Sequence, residues 1–224
     1  MQNDEGIAIL KSSFGLIKAS PQEAADAYIK WQKPLARKYG KCLKVETISS
    51  DLDPALENLL PINPSANRHL FFPCRNGWSV LFENGFQGTD NTPVCMLAKL
   101  MPAFTMRVVE TSSLPTFHYP ATILDIYESD TWPKRSIAAM DDGGSWIFPQ
   151  AGEPFAFENL EQYKLKNIRD RFTPILLRQY LGEFSAFPFD SDFYMTGEPA
   201  IRIEKVSRLS WPFSLVSRFR RQSG

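Results

Sequence analysis

Long apolar runs are missing from this 224-residue chain. None approaches the ~20 consecutive residues that a membrane-crossing helix needs, so no transmembrane segment is expected. The first residues, Met1-Gln2-Asn3-Asp4-Glu5, are acidic and precede no long apolar core. A secretory leader is therefore not predicted, and a cytoplasmic location is. Histidine is limited to His69 and His118, and cysteine to Cys42, Cys74 and Cys95, none of them in a CxxC pair. That set is too sparse for a zinc knuckle or a disulfide framework, and it predicts no cofactor and no bound metal. His69 stands five residues before Cys74 on one predicted strand. Alternation sends the two side chains to opposite faces, which argues against a local Cys–His nucleophile pair.

Charge of one sign is also lacking, because 25 basic groups balance 25 acidic ones. A general nucleic-acid binder is not expected from such a chain. The balance is uneven along the sequence: residues 201–224 hold six basic groups against Glu204, which leaves −5 on residues 1–200. An acidic body thus carries a basic C-terminal tail, and the tail is itself a candidate partner contact. The glycines form no nucleotide loop. Gly85-Phe86-Gln87-Gly88-Thr89-Asp90 follows a predicted strand but has neither the Lys-Ser/Thr ending of a P-loop nor the spacing of a dinucleotide fold.

What is present is apolar and aromatic: 43% hydrophobic residues, with 17 phenylalanines and 17 prolines. This predicts one well-filled core built from short elements and stiff loops. Ser20-Pro21-Gln22-Glu23 is a capping box with proline at the first helical position, and it predicts a helix over 21–33. Asp53-Pro54 opens a short second helix. From His69 the apolar period becomes two, which predicts strands at 69–74 and 78–83 joined by Arg75-Asn76-Gly77. Thr92-Pro93 caps a helix to Met101, and strands follow at 104–110, 121–128, 135–140 and 145–148. Asn159 and Gln162 read as a further capping box, so helices are expected over 159–181. Ile201 and Ile203 mark a closing strand. The predicted class is α+β, a single domain in four parts: a helical N-terminal part (1–68), an antiparallel meander (69–148), late helices (149–183), and a closing strand with the basic tail (184–224).

Acidic loop residues are the candidate interaction groups, namely Asp90, Asp141, Asp142, Asp190 and Asp192. Loops carry binding residues, and charge steers association. Asp190-Ser191-Asp192 also has the spacing of a divalent-cation holder, and Asp141-Asp142-Gly143-Gly144 that of a tight turn.

Trp78-Ser79-Val80-Leu81-Phe82-Glu83-Asn84-Gly85, Gly88-Thr89-Asp90, Trp146-Ile147-Phe148 through Gly152 to Phe157-Glu158, and Asp170-Arg171-Phe172-Thr173 together resemble a broad group of uncharacterised bacterial cytosolic proteins. Some of that group are immunity partners of polymorphic secreted toxins. The likeness covers about residues 69–194 and is one of scaffold, since its aromatic, glycine and turn positions include no catalytic motif. It implies a stoichiometric protein-binding role with a cognate toxin as partner. The competing reading is an enzyme acting on a nucleotide or phosphorylated small molecule, with Asp190 and Asp192 holding a divalent cation and His118 or Arg171 beside the reacting group.

Replacing Cys42, Cys74 and Cys95 together with Ala or Ser is expected to lower stability and leave partner binding intact. A folded triple variant that has lost its binding would contradict this.

Overall fold

The computed structural model describes residues 2–111 and 119–208, with backbone alone at residues 2 and 3. Its strands are β1 (Ser13–Ile17), β2 (Lys41–Ile48), β3 (Arg68–Pro73), β4 (Ser79–Glu83), β5 (Phe104–Glu110), β6 (Ala121–Glu128), β7 (Arg135–Asp141), β8 (Trp146–Ile147), β9 (Gln150–Ala151) and β10 (Ala200–Ser207). All belong to one antiparallel sheet in the order β2-β10-β3-β4-β1-β5-β6-β7-β8, with β9 also on β7. The helices are α1 (Gln2–Ser12), α2 (Pro21–Lys38), α3 (Leu52–Glu57), α4 (Asn91–Leu100) and α5 (Pro174–Glu183). None of them is long and apolar enough to cross a membrane.

The α+β class and the antiparallel sheet agree with the sequence reading, and the expected meander is present from β5 to β8. Its first half is interrupted. β1 lies between β4 and β5, and β10 between β2 and β3, so the N-terminal part is not helical alone but supplies two strands. β1 escapes a pattern reading because it is buried on both faces and shows no alternation. β2 escapes because it lies at an edge, where Cys42, Leu43, Val45 and Ile48 are mixed with Lys41, Lys44, Glu46 and Thr47 without alternation and none is fully buried.

Local signals behave as their chemistry dictates. Both bonds of the Ser20/Glu23 capping box form, and α2 then continues past 33 to Lys38 because Gln32 and Ala36 still face the core. Asn76 and Gly77 have φ of 58° and 69°, which turns β3 into β4. The α4 cap is Asp90 rather than Thr92, with its carboxylate accepting from the Asn91 N–H at 2.6 Å. The helix expected over 159–172 is instead two single 3₁₀ turns, Gln162–Lys164 and Ile168–Asp170, with Leu165 extended between them. Asn159 still accepts from the Gln162 N–H, yet the chain stays open because its side chains are held by the sheet below.

The main core fills one face of the sheet, with Phe14, Leu16, Phe72, Val80, Phe82, Met106, Val108 and Leu124 among its members. Leu10, Leu56 and Leu59 cover it at one end, and Tyr163, Phe172, Leu177 and Tyr180 of the 149–194 segment cover the rest. One ion pair fixes that segment. Arg135 of β7 grips Glu158 with Nε to Oε1 at 2.9 Å and Nη2 to Oε2 at 2.7 Å, both side chains being at most 2% exposed. The remaining guanidinium N–H groups donate to Gln150 Oε1 and to the Gly152 and Ala151 carbonyls. Glu158 also accepts from the Phe155 N–H and the Tyr163 hydroxyl, so both charges are fully hydrogen-bonded.

The opposite face is covered by α2 over Phe71, Leu81, Ile201 and Ile203, and by α4 beside Tyr127. Beyond α4 it carries a cross-strand row, Arg107–Asp125–Ser136, and no helix lies over that row among the described residues.

Removing one charge from the buried pair strands the other. The substitution Glu158→Gln should destabilise the fold by about 3–5 kcal/mol in chemical denaturation. A loss under about 1 kcal/mol would mean that the pair is dispensable.

Candidate functional site

The five acidic candidates fall at three places in the chain: the α4 cap, the β7–β8 turn and the 190–192 turn. Asp141 and Asp142 open the β7–β8 turn, where the Asp141 carboxylate accepts from the Gly144 N–H at 2.5 Å. Asp90 is spent in part on the α4 cap and follows Thr89, whose carbonyl accepts from Arg107 Nε. Asp190 lies on the main-core side, in a depression shared with Lys11, Asp51 and Asp53. The carbonyl of Asp192 accepts from Arg75 Nε at 2.6 Å, at the β3–β4 hairpin. Arg171, over the Phe148 ring and bonded to the Leu165 carbonyl, enters neither neighbourhood. His118 lies outside the described residues. Among the described residues no group of three or more His, Cys, Asp or Glu could hold a metal ion.

A different grouping does form, at the end of the sheet where α1 runs into β1. The Gly85–Asp90 loop is anchored there by the Thr89 N–H donating to the Ser13 carbonyl, by Ser13 Oγ donating to the Thr89 carbonyl, and by Thr89 Oγ1 donating to the Leu81 carbonyl. Gly88 has φ +69°, and a Cβ there would stand 2.7 Å from that of Ser13. Only glycine lets the loop sit so close to β1. The anchored loop presents Phe86, which is 59% exposed. Across from it Tyr119 is 61% exposed, and the Asp141 N–H donates to the carbonyl of the next residue, Pro120. Between them lies a depression of about 390 Å³, floored by Arg107, Val109 and Ile123 and rimmed by Glu5, Gln87 and Asp141. Arg107 is held from below by Asp125 at 3.5 Å, and Asp125 is fixed by Ser136 Oγ at 2.6 Å. The result is a concave apolar floor with one oriented cation, two exposed aromatic rings and an acidic rim.

Of the residues around this depression, sequence reasoning named Asp141 as a candidate contact and did not so name Phe86, Tyr119, Arg107 or Glu5. The signal available was the aromatic side chain inside the Gly85–Gly88 loop. Arg107 was legible only as the polar side of β5.

Buried titratable groups elsewhere are structural. His69 of β3 stands directly opposite Glu83 of β4, with Nδ1 2.9 Å from Oε1, and its Nε2 meets the Tyr28 hydroxyl at 2.8 Å. The neighbours assign the tautomer: Tyr28 donates to Nε2, which leaves the ring proton on Nδ1 facing Glu83. Glu83 Oε2 accepts from the Asp90 N–H, and Lys205 lies over the Tyr28 ring at 5.7 Å. All three members of the triad are at most 2% exposed, so no substrate reaches them. Burial holds His69 below the ordinary histidine value and Tyr28 well above the ordinary tyrosine value. Burial likewise pushes the Cys74 and Cys95 thiols up, away from the nucleophilic thiolate. His69 and Cys74 do face opposite sides of the sheet, as the alternation requires.

Searches against protein-family models, curated proteins and solved structures each return no match.

A histidine held neutral by folding gains its proton on unfolding. Stability should therefore fall as pH drops below about 6.5, where the unfolded chain binds a proton that the native one does not. A His69→Gln variant, less stable at pH 7.5, should show a flatter pH dependence between 7.5 and 5.5 in urea titrations. Parallel curves for the two proteins would refute the assignment.

Proposed function

We propose that the chain is a stoichiometric protein-binding protein of the immunity type, which occludes a cognate toxin with the end-of-sheet depression. The observation that carries this reading is the pairing of Phe86 and Tyr119, both more than half exposed, around a concave floor that contains Arg107. Single exposed apolar residues are ordinary, but two aromatic rings and an arginine about one depression match the side chains that dominate binding energy at interfaces. The loop holding Phe86 is tied to β1, so a partner would meet a preformed surface with little ordering cost. Glu5 and Asp141, with Asp142 next to it in the chain, give the rim a negative field suited to a basic partner surface.

Asp190 and Asp192, on other parts of the molecule, are not part of this contact. The resemblance to immunity partners of secreted toxins supports the reading at the level of scaffold and names no contact residue.

A pull-down from the native bacterium, followed by co-expression, should yield a partner neutralised at about one to one. Combining Phe86→Ala and Tyr119→Ala should weaken the complex by at least about thirtyfold, chiefly through faster dissociation. Combining Asp141→Asn with Asp142→Ser should slow association several-fold and flatten its salt dependence. Protection that continues far below one equivalent, or conversion of a substrate, would point to catalysis and overturn the proposal.

A further inference from the structure

The edge of the sheet formed by β2 is a second surface, remote in sequence from the depression. β2 is last in the strand order and pairs with β10 alone. Its eight residues present an edge about 26 Å long, whose outward N–H and C=O groups meet no strand among the described residues. Beside this edge, between α2 and β2, runs a groove of about 300 Å³. Its apolar floor is Ile29, Leu43 and Val45, and Val45 is 48% exposed in the middle of the strand. Its rim is Lys33, Arg37 and Arg208, all exposed, and no carboxylate lines it.

We infer that this edge is a docking site for an extended acidic segment of another protein, which adds a strand to β2 and places an apolar side chain in the groove. Two features together select that occupant. The ladder edge recognises a peptide backbone, which neither a nucleic acid nor a lipid headgroup offers. The three cations select for carboxylates on the added strand.

The same cations argue against the other candidates. A second copy paired across β2 would bring two sets of Lys33, Arg37 and Arg208 together, and like charges so placed are repulsive. The C-terminal residues of this chain are themselves basic, with Arg218, Arg220 and Arg221, and would meet the same repulsion. The edge lysines Lys41 and Lys44 are the usual guard of an exposed strand against its own kind, and they leave an acidic partner admissible.

The test uses the full chain and a fluorescent peptide, acetyl-Glu-Val-Asp-Val-Glu-Val-Asp-amide, with a control in which lysine replaces every acid. Anisotropy should show the acidic peptide binding at least about tenfold more tightly than the control. Lys33→Glu combined with Arg37→Glu should remove that preference, and Val45→Asp should weaken binding at least about tenfold, with circular dichroism confirming that both variants fold. Amide exchange should slow within 41–48 on peptide addition, which a merely electrostatic association would not produce. Equal binding of the lysine peptide or of a thymidine oligonucleotide would overturn the inference, as would unchanged exchange in 41–48 or no binding at about 1 mM peptide. A dimer in sedimentation that Val45→Asp dissociates would overturn it too, by assigning the edge to a second copy.

Discussion

The 149–172 segment that closes the main core is held in place by one buried ion pair. Arg135 is fixed at the start of β7 by the β6–β7 ladder, and Glu158 belongs to a segment with almost no regular structure of its own. Two charges at such depth are tolerable only if every donor and acceptor is matched, and here they are, through Gln150, the Gly152 carbonyl, the Phe155 N–H and Tyr163. Because the pair admits one geometry, it sets where the 149–172 chain crosses the sheet. That position decides how Phe157, Phe172 and Tyr180 stack, and so how the main core is closed. Neighbouring contacts reinforce the course: Arg169 lies over Trp146 at 4.8 Å, and the Tyr180 hydroxyl accepts from the Asn159 N–H at 2.7 Å.

With one face closed by that segment, the other is free to differ along its length. α2 and α4 cover the sheet from β2 to Tyr127 of β6 and leave the part beyond α4 open. At that opening the Arg107–Asp125–Ser136 row is partly exposed, while on the covered part the equivalent polar row, His69–Glu83 with Tyr28, is sealed from water. Two polar rows on one face thus take different roles, and the helix above them makes the difference. One stabilises a helix-to-sheet contact, and the other orients an arginine toward a depression.

The two exposed surfaces contrast in sign. The end-of-sheet depression has an acidic rim and a rigid aromatic loop, whereas the β2 groove has a basic rim and an unpaired backbone edge. A chain that is neutral overall can carry both because its charge is sorted in space, something composition cannot reveal.

The sequence by itself determined the local events: the Ser20 capping box, the Asn76-Gly77 turn, the strands from Arg68 to Asp141, and the assignment of His69 and Cys74 to opposite faces. Each depends on residues within a few positions of one another, where backbone sterics and side-chain period leave few alternatives. Only the tertiary structure decided that β1 enters the sheet between β4 and β5 and that β10 returns beside β2, because a strand buried on both faces shows no period and an edge strand needs none. It alone replaced the expected 159–172 helix with two turns, since a carboxylate bonded to Arg135 outweighs about a turn of helical hydrogen bonds. The candidate site divides in the same way. Asp141 and Asp142 were legible as a turn, whereas their company with Phe86, Tyr119 and Arg107 joins four separate stretches of chain. That company comes from strand order, which no local pattern encodes.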